Sequence, residues 1–121
     1  MAQWVNRLAR VLFVVAGGYP SAAAEGPYSF RLPEGFSIER VAGPPEIQFP
    51  MFAALDDQGR LYVAESSGLD LYAELTKLTR QCRISVLEDR DGDGCYEHVR
   101  VFADKLVFPM GLVWRDNRLY V

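Results

Sequence analysis

"FPMFAALDDQGRLYV" at 49–63 returns as "FPMGLVWRDNRLYV" at 108–121. Phe49 aligns with Phe108 at an offset of 59, and Arg60 with Arg118 at 58, so the second copy has lost one residue between its two apolar runs. A hairpin turn can lose a residue without disturbing the strands it joins, because connecting segments lie on the surface. "DDQG" at 56–59 has turn composition, with Gly59 able to supply a positive φ. The segments ahead of each copy match more loosely, "IERVAG" at 38–43 beside "VRVFAD" at 99–104. A period near 58 residues of this kind is the signature of a repeated sheet unit.

Outward from the repeat, runs rich in β-branched and aromatic residues predict strands at 36–42, 51–55, 60–65, 82–88, 98–103 and 110–114. Only "LDLYAELTKLTR" at 69–80 approaches a helical apolar period. Four strands, 51–55 through 98–103, make one up-and-down sheet, and 110–114 opens the next copy, which is the layout of β-propeller blades. The fold class predicted is therefore all-β, a β-propeller of which this chain carries an N-terminal closing strand (36–42), one blade and the start of the next. The closing strand would pair with the last blade and remove an open edge. Because the second copy ends at "RLYV", inside a strand, the chain reads as the N-terminal fragment of a longer protein. A small complete β-sheet protein with a chance duplication is the rival reading.

The first 24 residues read as an address: Arg7 and Arg10, then apolar "VLFVVAGG", then small "SAAA". Residues 11–24 carry no charge but are too few, and too interrupted by Gly17, Gly18 and Pro20, for a membrane span of roughly 20 apolar residues. A cleaved signal peptide over 1–24 is predicted, with an uncleaved amphipathic anchor as the rival, leaving 25–121 as the propeller part. Cleavage moves the net charge from −3 to −5, with 11 basic against 16 acidic side chains, so nucleic acid is excluded as a partner. Export to the periplasm or the extracellular space places the chain where free calcium is abundant enough for weak sites.

"EDRDGDGCYE" at 88–97 crowds Asp89, Asp91 and Asp93 at alternate positions, then Gly94 and Glu97. Carboxylates so close repel unless a cation sits between them. In a D-x-D-x-D-G loop three Asp reach one calcium and the Gly makes the turn. The predicted ligands are Asp89, Asp91, Asp93, the backbone carbonyl of Cys95 at the seventh position, and Glu97 at the ninth, directly or through water. Arg100 stands where an EF-hand has its bidentate Glu, so the loop is a truncated variant between strands rather than helices. Magnesium suits it less, wanting strict octahedral geometry. A solvated Asp/Gly turn is the bland alternative.

No catalytic residue is assigned. His98 is the only histidine, and no nucleophile or carboxylate pair converges on it in sequence, so it reads as a polar strand position. Cys82 and Cys95 lie at opposite ends of the predicted pair 82–88 and 98–103, some 20 Å apart at about 3.3 Å per residue, too far for a disulfide. Trp114, Tyr62, Tyr120 and Phe52 are expected in the core between neighbouring units.

"LPEGFSIERVAGPPEIQFPMFAALDDQGRLYVAES" and "ISVLEDRDGDGCYEHVRVFADKLVFPMGLVW" together resemble the planctomycete-type membrane-bound dehydrogenase propellers, the PVC-type haem-binding family related to sorbosone and soluble glucose dehydrogenases. The likeness spans 32–121. It implies an exported six-bladed propeller with a sugar or alcohol dehydrogenase-like activity on a carbohydrate or small-molecule substrate, and membrane association of the full-length protein. It also supports calcium at Asp89, Asp91, Asp93 and Glu97. Haem c or a quinone would belong to the remainder, since C-x-x-C-H is absent here. The alternative is a non-catalytic, calcium-stabilised propeller that binds a partner or glycan.

Overall fold

The computed structural model describes residues 10–14 and 31–121. Two strands come first, β1 (Arg10–Val14) and β2 (Ser37–Ala42), paired in parallel. β1 falls within the expected signal peptide, and the rest of 1–24 lies outside the described residues. The centre is an antiparallel sheet of β3 (Pro50–Leu55), β4 (Leu61–Glu65), β5 (Cys82–Glu88) and β6 (His98–Leu106), neighbours in sequence order. A separate hairpin of β7 (Val113–Arg115) and β8 (Arg118–Tyr120) follows. The described part is thus mostly strand, as an all-β fold requires, with one short helix.

Every residue of β4 is buried, which a strand can achieve only if both faces of its sheet are covered. One face places Leu61, Val63 and Leu87 against Val41, Ala42 and Ile47, the segment around the end of β2. The other places Tyr62, Ala64, Ile84 and Val86 against Leu112, Trp114 and Leu119 of the second hairpin. Three layers therefore stack in chain order. Fully burying each such aliphatic side chain contributes about 1.5–3 kcal/mol. Buried Glu65 is carried on the first face because Arg83 (Nε to Oε1, 2.9 Å), Ser85 Oγ and the Gln48 N–H all donate to it. A buried carboxylate without such donors would be strongly unfavourable.

The repeat is visible in register. Leu55 faces Leu61 and Ala54 faces Tyr62 in the first hairpin. Their sequence counterparts pair the same way in the second, Trp114 with Leu119 and Val113 with Tyr120. Only the turns differ. In the first, Asp56 N–H donates to the Arg60 carbonyl at 3.0 Å and Gly59 takes φ +79°. The second closes with Asp116 and Asn117 at φ +50° and +58°, the positive pair that a two-residue type I′ turn demands. One residue is lost and the pairing survives.

Some expectations shift. "MGLVW" was predicted as strand over 110–114, but strand begins at Val113, because β8 supplies partners only for Val113–Arg115. β6 runs on to Leu106, past the predicted 103, through register shifts opposite Cys82–Ser85 that also put Lys105 at φ +57°. Of the aromatics expected in the core, Tyr62 is buried and Trp114 packs on it, but Tyr120 and Phe52 are 51% and 38% exposed. Tyr120 pairs with Val113 on the face of the second hairpin that points away from the sheet, and no described element packs over it. The helical period at 69–80 becomes α1 (Leu71–Lys77), capped by Asp70 Oδ1, which accepts from Tyr72 and Ala73 N–H. Leu78 in left-handed geometry ends it.

Candidate metal centre

The acidic loop joins the two most extensively paired strands, closed by the Glu88–His98 pair of β5 and β6. Its backbone folds the carboxylates inward. Asp89 accepts from Gly92 N–H at 2.8 Å with Oδ1 and from Gly94 N–H at 3.0 Å with Oδ2. Asp91 Oδ1 accepts from Asp93 N–H at 3.2 Å, Asp93 Oδ1 from Cys95 N–H at 2.7 Å, and Glu97 Oε1 from Arg90 N–H at 3.4 Å. Two positive-φ glycines, Gly92 at +78° and Gly94 at +92°, make the bends, where the sequence pattern pointed to Gly94 alone. Short acidic side chains bonding backbone N–H groups two to five residues on is what Asp does in turns.

The result brings one carboxylate oxygen from each of Asp89, Asp91, Asp93 and Glu97 within 4.8 Å of the others. All four of the predicted acidic ligands are in one cluster. Cys95 lies between them in sequence with its thiol exposed, so its expected contribution through the backbone carbonyl needs nothing of the sulfur. The field in the loop is negative: Asp93 first, then burial, then Asp89 and Asp91 hold the Cys95 thiol above its ordinary value. Arg90 and Arg100 reach Glu88, at 3.0 and 3.7 Å, and the hydrogen bond from Arg90 is the main influence that holds the Glu88 carboxyl below its usual range.

A donor set made wholly of carboxylate and carbonyl oxygens fits a hard cation, and the exposure of Asp91, Asp93 and Glu97 leaves room for water to complete a sphere of six to eight ligands. His98 opens β6, half exposed, its Nε2 3.3 Å from Glu97 Oε1. Neither cysteine is in a disulfide: Cys82 is buried, donating to the Val107 carbonyl at 3.3 Å, at the far end of β5 from the loop.

Sequence reasoning missed Tyr96. Its N–H donates to the Val41 carbonyl at 2.9 Å, its hydroxyl to the Gly59 carbonyl at 2.8 Å, and its ring packs on the Val41–Leu61–Leu87 cluster. One residue thus ties the acidic loop to β2 and to the repeat's first turn. The signal available was an aromatic set between the loop's last ligands, which reads as buried anchorage only once β2 is known to pass beside it.

Among the described residues, no helix is long and apolar enough to cross a membrane. No curated protein and no solved structure matches the chain. Residues 22–121 match the domain of unknown function DUF7133, and the chain belongs to that family.

Proposed function

We propose that the 89–97 loop is a calcium site that braces a blade of an exported β-propeller, and that the propeller is part of a sugar or alcohol dehydrogenase-like oxidoreductase. The observation that carries the metal reading is the convergence of Asp89, Asp91, Asp93 and Glu97 oxygens within 4.8 Å. The ion neutralises the four carboxylates and fixes the β5–β6 connection, while Tyr96 passes that order to β2 and the 56–59 turn. The propeller reading is supported by the sheet lying between two further layers, one of them its own repeat. Removing 1–24 on export would strip β1 from β2 and free the edge of the strand that closes the ring.

The oxidoreductase part rests on the resemblance over 32–121. A calcium-stabilised propeller that binds a partner or glycan is the second reading, favoured by the position of the acids at a strand connection braced by Tyr96.

Metal content and thermal midpoint, measured on one sample in excess calcium and again in excess chelator, test the site. Binding to the folded state alone adds about 2.7 kcal/mol when calcium is a hundredfold above its Kd. Stoichiometric calcium with a raised midpoint is expected; no metal and no shift returns the loop to a solvated turn.

A further inference from the structure

We propose that the outward face of α1 is an isologous interface, at which two copies of this chain pair with their helices antiparallel. The helix is amphipathic in the opposite sense to an ordinary surface helix. It buries its carboxylate: Glu74 is 3% exposed, accepts a hydrogen bond from Ser67 Oγ at Oε1, and has the Cys82 thiol 3.9 Å from Oε2. The apolar side chains point out instead, with Leu69 63%, Tyr72 76%, Leu75 45% and Leu78 60% exposed. Large apolar residues at steps of three form a continuous stripe, and such a patch marks an interaction surface.

The order of residues along the stripe selects the partner. Leu69 and Leu78, Tyr72 and Leu75, and Asp70 and Lys77 each lie symmetrically about the point between Ala73 and Glu74. A two-fold axis through that point sets Leu69 against Leu78 of the second copy and Tyr72 against its Leu75. The one charged pair is of opposite sign, exposed Asp70 at the N-cap and exposed Lys77 in the last turn. Antiparallel pairing therefore brings each carboxylate to the other copy's ammonium and opposes the helix dipoles, whereas parallel pairing would set like charges together. Asp70 caps through Oδ1 alone, accepting from Tyr72 and Ala73 N–H, which leaves Oδ2 for the ammonium. α1 leads into the end of β5 opposite the acidic loop, so pairing keeps the acids of the two copies apart. A lipid surface is the poorer occupant, because it has no use for two-fold order and its phosphates would meet Asp70.

The inference rests on neither the calcium nor the dehydrogenase reading, and its test is run in chelator. Leu69→Cys and Leu78→Cys are made separately in the full chain with Cys95→Ser. Mixed, the two variants are expected to cross-link at least tenfold faster than either does with itself. In the antiparallel pair Leu69 lies across from Leu78, while like positions are offset by nine residues, roughly 13 Å at 1.5 Å per residue and beyond the about 7 Å that a disulfide spans. Lys77→Glu in both partners should slow the mixed reaction at least threefold, because it sets like charges opposite each other. Sedimentation equilibrium of the natural chain should show monomer and dimer in exchange. Leu75→Asp should raise the dissociation constant at least tenfold and leave the thermal midpoint of the dilute monomer unmoved, since its side chain is open to water there. Equal mixed and self rates would overturn the proposal, as would a chain that stays monomeric at every concentration. Binding of the monomer to anionic lipid vesicles, lost in Leu75→Asp, would also overturn it and give the face to a membrane.

Discussion

Trp114 lies stacked on Tyr62, one repeat further along the chain, and hydrogen-bonds Asp57 with the same indole. The contact joins the two copies of the motif, and Phe102 meets the Tyr62 ring in an edge-to-face contact with centroids 5.1 Å apart. Trp114→Ala should cost about 1–3 kcal/mol, less than a fully buried Trp because its ring is only partly covered. A double-mutant cycle with Tyr62→Leu should return a coupling of about 0.5–1.5 kcal/mol. Additivity of the two changes would show that the stacking contributes nothing beyond burial.

Asp89 and Asp91 should behave differently. Asp89 holds two backbone N–H groups of the loop, so Asp89→Ala is expected to cost about 1 kcal/mol even in chelator. Exposed Asp91 accepts only one, from Asp93, so Asp91→Ala should chiefly remove the calcium-dependent part of the thermal midpoint. Midpoints of both variants in calcium and in chelator make the comparison. Equal losses for both in chelator would contradict it.

Asp56 predicts an acid-sensitive turn. Burial pushes its carboxyl up, but the Arg60 N–H, the Arg60 guanidinium and the Gln58 N–H outweigh it, and the net value is below the ordinary 3.8. Its folded pKa is depressed, so its contribution is present above the unfolded value and lost as pH falls through the folded one. Wild type should therefore lose stability below about pH 4 more steeply than Asp56→Asn, which cannot titrate. Denaturant midpoints between pH 2 and 6 measure it, and parallel curves would refute it.

The two thiols should separate cleanly. Cys95 is exposed and Cys82 buried, its thiol raised by burial and then by Glu74. A disulfide-exchange reagent should consume one thiol quickly and the second only as the chain unfolds. Cys95→Ser should abolish the fast phase alone.

Tyr96→Phe removes the bond to the Gly59 carbonyl while keeping the ring on its cluster. A loss of about 0.5–1.5 kcal/mol is expected. Hydrogen exchange at Gly59 and Arg60 should quicken, since the turn loses the partner that ties it to the acidic loop.

Much of this was legible in the residues. The paired copies of FPM and RLYV gave the strands, the turn and the sheet order, because alternation and turn chemistry act locally. D-x-D-x-D-G gave the three Asp and the loop's ninth position gave Glu97, because their spacing puts them on one bend. Strand ends at 106 and 113 were not legible, since they depend on which partner residues are available across the ladder.

By itself the sequence determined that a unit repeats, from a match 58–59 residues along the chain, and where its acids gather, a consequence of spacing within a few residues. Which face each apolar residue covers was decided only by tertiary stacking. Tyr62 and Tyr120 occupy equivalent places in one motif, yet the first is buried under Trp114 and the second faces out over an apolar groove. Burial is a property of the layer laid on top, and that layer lies some 50 residues away from Tyr62 along the chain.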